Sequence, residues 1–259
     1  MHEWPLLIFT LLVQTSIGGM FALSIYLKLV NKDEEATFQL AKLPLIVISV
    51  VSLIGLAASF SHLGSPLNAL YTITNLGSSW FSREIIFVGA FIFLTLATTA
   101  LLLVKKKVNM IMMYVTSFVG LCAVFMMASI YASSLIAEWN GIGTYAAFYA
   151  TTLLVGATLI ASLCKQQIDK SLMGLFLIAT VGIVIKLIFL PGHFANVIEF
   201  NTAQQPFLYG QLILTIVSIL LLGYVTFIRK SAQPLLWVTF LIAFIGEFLA
   251  RYMFFMNAI

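Results

Sequence analysis

Nine acidic side chains and three histidines in 259 residues are few enough to be weighed one at a time. His62 stands in the run Ser61-His62-Leu63-Gly64-Ser65-Pro66. A neutral imidazole accepts a proton from a hydroxyl near neutral pH. A histidine in the last turn of a helix also caps carbonyls favoured by the helix dipole, and position alone favours that role. Glu84 follows Ser82 and Arg83. Two readings stay open for it: a first-turn carboxylate steadied by the helix N-terminus behind a Ser82 cap, or a carboxylate at the edge of an apolar run that takes a proton. Arg83 can snorkel, pair with Glu84 or orient an oxygen-bearing ligand. Glu247 and Arg251 are spaced i, i+4 and so share a helix face. A self-satisfied buried ion pair is the simpler account of them, ligand contact the other. Lys186 reads as a structural lysine snorkelling outward. His193 and Glu199 read as loop residues that are solvated or touch a partner, and Gly18-Gly19 as a site of close helix packing.

The elements that carry these residues follow from composition. The chain is 62% hydrophobic and 8% charged, whereas a soluble domain is about 45–50% apolar and about 25% charged. No water-soluble fold of this length hides so much apolar surface, so lipid is the solvent that fits. Apolar runs of spanning length cover residues 5–27, 43–62, 84–104, 108–135, 145–164, 171–190, 206–228 and 234–256. They are too long and continuous for barrel strands. The expectation is an all-α, polytopic integral membrane protein, a single domain of eight transmembrane helices over 1–259. Pro44, Pro66, Pro191, Pro206 and Pro234 fall at or just outside the ends of runs, where proline is tolerated. The first run, without a basic n-region or small-residue cleavage site, reads as a retained span.

The same composition narrows the chemistry. The net charge of +4 comes from short basic clusters between apolar runs, not from a basic stripe for nucleic acid. Cys122 and Cys164 both lie inside apolar runs, which argues against a metal cluster or disulfide framework in this protein. A bis-histidine haem needs two facing histidines within spans, and His2, His62 and His193 sit at the terminus or at run ends, so no haem is expected. Of the thirteen basic residues, Lys28, Lys32, Lys42, Lys105, Lys106, Lys107, Lys165, Lys170, Arg229 and Lys230 flank loops on one side. The positive-inside rule then places both termini outside the cytoplasm. The longest loops, 63–83 and 191–205, fall on the outer side, with Trp4, Trp80 and Trp139 near that face and Trp237 near the inner one. The second and sixth runs both end in Gly/Pro/His segments, a similarity too slight to define a four-plus-four repeat.

Several segments taken together resemble one family. His2-Glu3-Trp4-Pro5-Leu6 with Ile8-Phe9-Thr10, His62-Leu63-Gly64-Ser65-Pro66, Glu84-Ile85, and Gly246-Glu247 with Arg251 are similar to the membrane-anchor subunit of anaerobic dimethyl sulfoxide reductase, in order and over the whole sequence. Ala250 stands where a glycine is expected, and Arg83 where a neutral residue is expected. Neither removes a proton acceptor. The resemblance implies an anchor in the bacterial inner membrane holding an iron–sulfur subunit and a molybdopterin catalytic subunit on its periplasmic face. It further implies that the anchor binds and oxidises menaquinol, with His62 and Glu84 at the quinol site, and that iron–sulfur and molybdopterin centres belong to the partners alone. Arg83, Glu247 and Arg251, at the same outer depth, are candidates for contacting the quinol. The terminal acceptor would be chosen by the molybdenum subunit. Two other readings compete: an ion- or proton-coupled transporter using Lys186 or Glu247, and a passive anchor with no quinol site.

Overall fold

The computed structural model describes residues 4–30, 33–62, 73–136, 139–164, 170–200, 204–228 and 233–256, with the main chain alone at 62, 73 and 190–200. Among them are eight long α-helices: α1 Trp4–Val30, α2 Glu34–His62, α3 Trp80–Lys105, α4 Met110–Ala132, α5 Ile142–Leu163, α6 Lys170–Phe200, α7 Gln205–Phe227 and α8 Gln233–Met256. A short 3-10 turn, Ile73–Asn75, precedes α3. All eight are long and apolar enough to cross a membrane. The reason for helix is physical: hydrocarbon offers no water to a free N–H or C=O, so the polypeptide bonds its own backbone. Buried hydroxyls follow the same rule. Thr15, Ser16, Thr152, Thr158 and Ser162 each donate back to a carbonyl three or four residues earlier in their own helix.

The boundaries differ from the apolar runs where polar residues still favour helix. α2 begins at Glu34, nine residues before its apolar run, with Asp33 accepting from the Ala36 amide at 2.9 Å. Pro44 therefore lies inside α2, not at its end. α6 continues through Pro191 to Phe200, so most of the expected 191–205 loop, including the main chain at His193 and Glu199, is helical. Pro206 and Pro234 stand in the first turns of α7 and α8, as expected. Pro66 and the Leu63–Thr72 part of the expected 63–83 loop lie outside the described residues.

Contacts at the two ends fix the alternation of the helices. At one end, hereafter the terminal end, Trp4 of α1 stacks on Phe248 and lies against Tyr252 of α8, while Tyr131 of α4 meets Trp139, Phe254 and Phe255. At the opposite end, Lys107 pairs with Glu34, and Gln233 donates to the Ser162 carbonyl. Trp139 is not the interfacial residue expected. It is buried, stacked on Phe254, and its indole N–H donates to the Phe254 carbonyl at 2.8 Å.

The helices form two four-helix bundles. In the first, α1 packs on α2, α3 on α4, and α1–α4 and α2–α3 close the ring; in the second, α5–α6, α7–α8, α5–α8 and α6–α7 repeat that pattern. With four passes in each half, α5 starts from the same end as α1, so the two halves run in the same direction. The four-plus-four organisation is therefore real, though its sequence trace was slight. α1 and α5 form the seam: 78% and 83% of their most apolar stretches are buried, against 33–44% in the other six. Small residues permit that closeness. A Cβ placed on Gly18 would fall 1.8 Å from the Thr152 carbonyl oxygen, and one on Gly156 would fall 2.1 Å from the Gly18 carbonyl carbon. The expected packing role of Gly18-Gly19 is thus met at the main crossing.

Candidate functional site

The first candidate pair belongs to the first bundle. α2 ends at His62 and α3 starts at Trp80, both at the terminal end. The side chain of His62 lies outside the described residues. The N-cap of α3 is Ser79, which accepts from the Ser82 amide at 3.3 Å; Ser82 is inside the helix and not its cap. That shift moves Glu84 to the fifth helical position, beyond the first three orphan N–H groups, and removes the dipole-cap explanation for it. Glu84 is 6% exposed, and among the described residues no group hydrogen-bonds or pairs with its carboxyl.

Arg83, one residue earlier, is occupied elsewhere. Its Nε donates to the Leu76 carbonyl at 2.9 Å and Nη2 to the Gly77 carbonyl at 2.8 Å, with the guanidinium 4.3 Å from the Trp80 ring centroid. These contacts tie the 73–79 segment onto the start of α3. Arg83 does not pair with Glu84.

The second cluster belongs to the second bundle, and its pairing differs from the expected one. Glu247 does not pair with Arg251 four residues along. Its Oε1 accepts from Lys186 Nζ of α6 at 2.6 Å, and its Oε2 from the Thr151 hydroxyl of α5 at 2.7 Å. Lys186 is 5% and Glu247 1% exposed, so Lys186 does not snorkel. The i, i+4 spacing places Glu247 and Arg251 on one face, but the groove between α5 and α6 supplies a cation at the right depth. Thr151 and Glu247 each lie nine residues from the terminal end of their helix, about 13 Å along the axis. The pair is therefore well inside the span, not at the outer depth expected from sequence.

Arg251 turns to the seam. Its Nη2 donates to Gln14 Oε1 of α1 at 2.8 Å, and its guanidinium lies 3.9 Å from the Phe148 ring centroid and 5.5 Å from that of Phe254. Among the described residues, several buried polar atoms near this cluster lack a partner: Gln14 Nε2, Arg251 Nε, both polar atoms of the Gln211 side chain, and the Thr215 hydroxyl.

Sequence reasoning missed Gln14, Thr151, Gln211 and Thr215 as members of a polar cluster. A signal existed for the glutamines, since an amide inside an apolar run needs a partner in hydrocarbon. For Thr151 there was none, because threonines that satisfy themselves are frequent in these helices. The five residues named from sequence thus separate: Glu84 and the main chain at His62 belong to the terminal end of the first bundle, Glu247 and Arg251 to the second bundle and the seam, and Arg83 to the first turns of α3 with its side chain on the 73–79 segment.

Comparison with known proteins bears on the same sequence. A family model described as DMSO reductase anchor subunit (DmsC) matches residues 1–256. The C subunit of anaerobic dimethyl sulfoxide reductase from Haemophilus influenzae is 28% identical over 267 residues, an alignment spanning 98% of this protein and 94% of the relative. The C subunit of the same-named enzyme from Escherichia coli is 29% identical over 273 residues with the same coverage. The YnfH subunit of anaerobic dimethyl sulfoxide reductase from Escherichia coli is 29% identical over 168 residues, spanning 63% of this protein and 58% of the relative.

Proposed function

The chain belongs to the DMSO reductase anchor subunit family, and from that premise we propose that it is the quinol-oxidising membrane anchor of a molybdopterin oxidoreductase complex. The observation that carries the reading is Glu84, a carboxyl buried within a transmembrane helix near its terminal end, beside the end of α2 at His62, with no protein group among the described residues holding it. Burying such a group without a partner is costly in a structural role and is expected where a ligand completes it.

Oxidation of menaquinol breaks two O–H bonds and releases two electrons and two protons. Glu84 accepts the proton of one hydroxyl and His62 that of the other, as the hydrogen-bond acceptors that orient the ring. The apolar surfaces of α2 and α3 receive the ring and tail. The electrons leave to the iron–sulfur subunit and through it to the molybdopterin subunit, both docked on the terminal end. In this reading the basic loops at the opposite end face the cytoplasm, the terminal end is periplasmic and the membrane is the bacterial inner membrane, as the positive-inside rule supports. Arg83 acts in this reading by fixing the 73–79 segment beside the site, and Glu247 and Arg251 lie outside the ring's first contacts.

The test separates this role from that of a passive anchor. In the assembled complex, His62→Ala and Glu84→Gln should each lose about a hundredfold or more in quinol-linked reduction, the usual range for a proton-transfer group. Reduction driven by an artificial donor to the partner subunits should survive. Unchanged quinol-linked turnover in both variants, with normal assembly, would sink the assignment.

A further inference from the structure

The Lys186–Glu247 pair is more than a fastener between helices. A buried pair kept only for packing is often replaceable by apolar side chains without loss. Here the pair sits among polar groups that the protein itself leaves unsatisfied. Arg251, one turn from Glu247 and within its electrostatic reach, has a buried Nε without a partner, and so has the Nε2 of Gln14 that Arg251 holds. On α7, Gln211 and Thr215 are 1% and 3% exposed, lie one turn apart on one face, and have three unpaired polar atoms between them. That part of α7 packs on α8 at Gly246, where a Cβ would stand 3.5 Å from the Gln211 carbonyl oxygen and 3.6 Å from the Thr215 amide nitrogen. Each unpaired buried group costs free energy that a hydrogen-bonding ligand recovers. Internal water, with two to four partners, is the ligand that such a set of donors and acceptors fits.

We propose that Lys186, Glu247 and Thr151, with Arg251 and Gln14 beside them and Gln211 and Thr215 on the α7 turn that packs on Gly246, form a hydrated proton-exchange site within the second bundle, distinct from the His62–Glu84 end of the first. A hydronium reaching the pair gives its proton to a Glu247 carboxylate oxygen, one O–H bond forming as another breaks and a water remaining. Charged and titratable groups facing Glu247 are Lys186 from α6 and Arg251 on α8, the latter beside Tyr131 of α4; α5 offers the uncharged Thr151, and the uncharged Gln211–Thr215 turn of α7 packs on the adjacent Gly246. The site does not rest on the quinol reading.

Infrared difference spectroscopy on the reconstituted complex tests it. Acidification should produce a carboxylic C=O stretching band that shifts promptly in D2O, is lost in Glu247→Gln and persists in Glu84→Gln. In Lys186→Met the carboxyl loses its cation, and the band should already be present at neutral pH. A spectrum unchanged by Glu247→Gln, or a band in Lys186→Met that does not respond to D2O, would overturn the proposal. Either outcome leaves the quinol assignment standing, since that depends on Glu84→Gln turnover.

Discussion

Lys186 and Glu247 show how little a residue's spacing along one helix says about its partner. The i, i+4 relation between Glu247 and Arg251 is real, yet the carboxylate is taken by a lysine from another helix and a threonine from a third. The energetic consequence is testable. Lys186→Met leaves the Glu247 carboxyl buried without its cation and forced to take a proton, which should cost about 3–5 kcal/mol, whereas Lys186→Met with Glu247→Leu should recover most of that loss. Thermal unfolding of the purified protein in mild detergent checks the ordering; equal destabilisation by the single and double variants would contradict it. Glu84 teaches the converse. Residue type and position made it a candidate, and the proposal gained weight only when the N-cap moved to Ser79 and took away the simpler explanation.

At the scale of elements, the seam between α1 and α5 is decisive. Their small and hydroxyl-bearing residues, Thr15, Ser16, Gly18 and Gly19 on one side and Thr151, Thr152 and Gly156 on the other, allow the backbones to meet. Gly18→Ala would push a methyl group into the Thr152 main chain, where no side-chain rotation relieves it. Gly18→Ala should therefore reduce the yield of folded protein several-fold, while Gly89→Ala, whose Cβ meets nothing within 4 Å, should not. Fluorescence-detected size-exclusion chromatography of the two variants measures this; equal profiles would mean that the seam relaxes. Helix number and type were legible because hydrocarbon permits little else. The ends were less so: α2 starts in a polar stretch with Asp33 as its cap, and α6 runs through Pro191, both because a capped or extended helix satisfies backbone groups outside the apolar run.

At the scale of the molecule, two parallel bundles carry different polar equipment. The first has Glu84 near its terminal end, the second an ion pair about 13 Å inside. If quinol is oxidised at the terminal end and that end is periplasmic, its protons leave on the same side as the catalytic partners. Sealed vesicles containing the whole complex should then acidify on the partner-bearing face during quinol-linked turnover. Proton release on the opposite face would contradict the orientation.

The sequence by itself determined the solvent and the number of crossings, because each depends on composition over windows of about twenty residues that lipid constrains one helix at a time. It also supplied the family resemblance, from which His62 and Glu84 are proposed as site residues. Only the tertiary structure decided that Lys186 belongs to Glu247, that Arg251 belongs to Gln14, and that the eight helices divide four and four. Those are choices among partners on different helices, far apart in sequence. They turn on rotation and depth within the bundle, which close packing at Gly18 and Gly156 sets and no local pattern records.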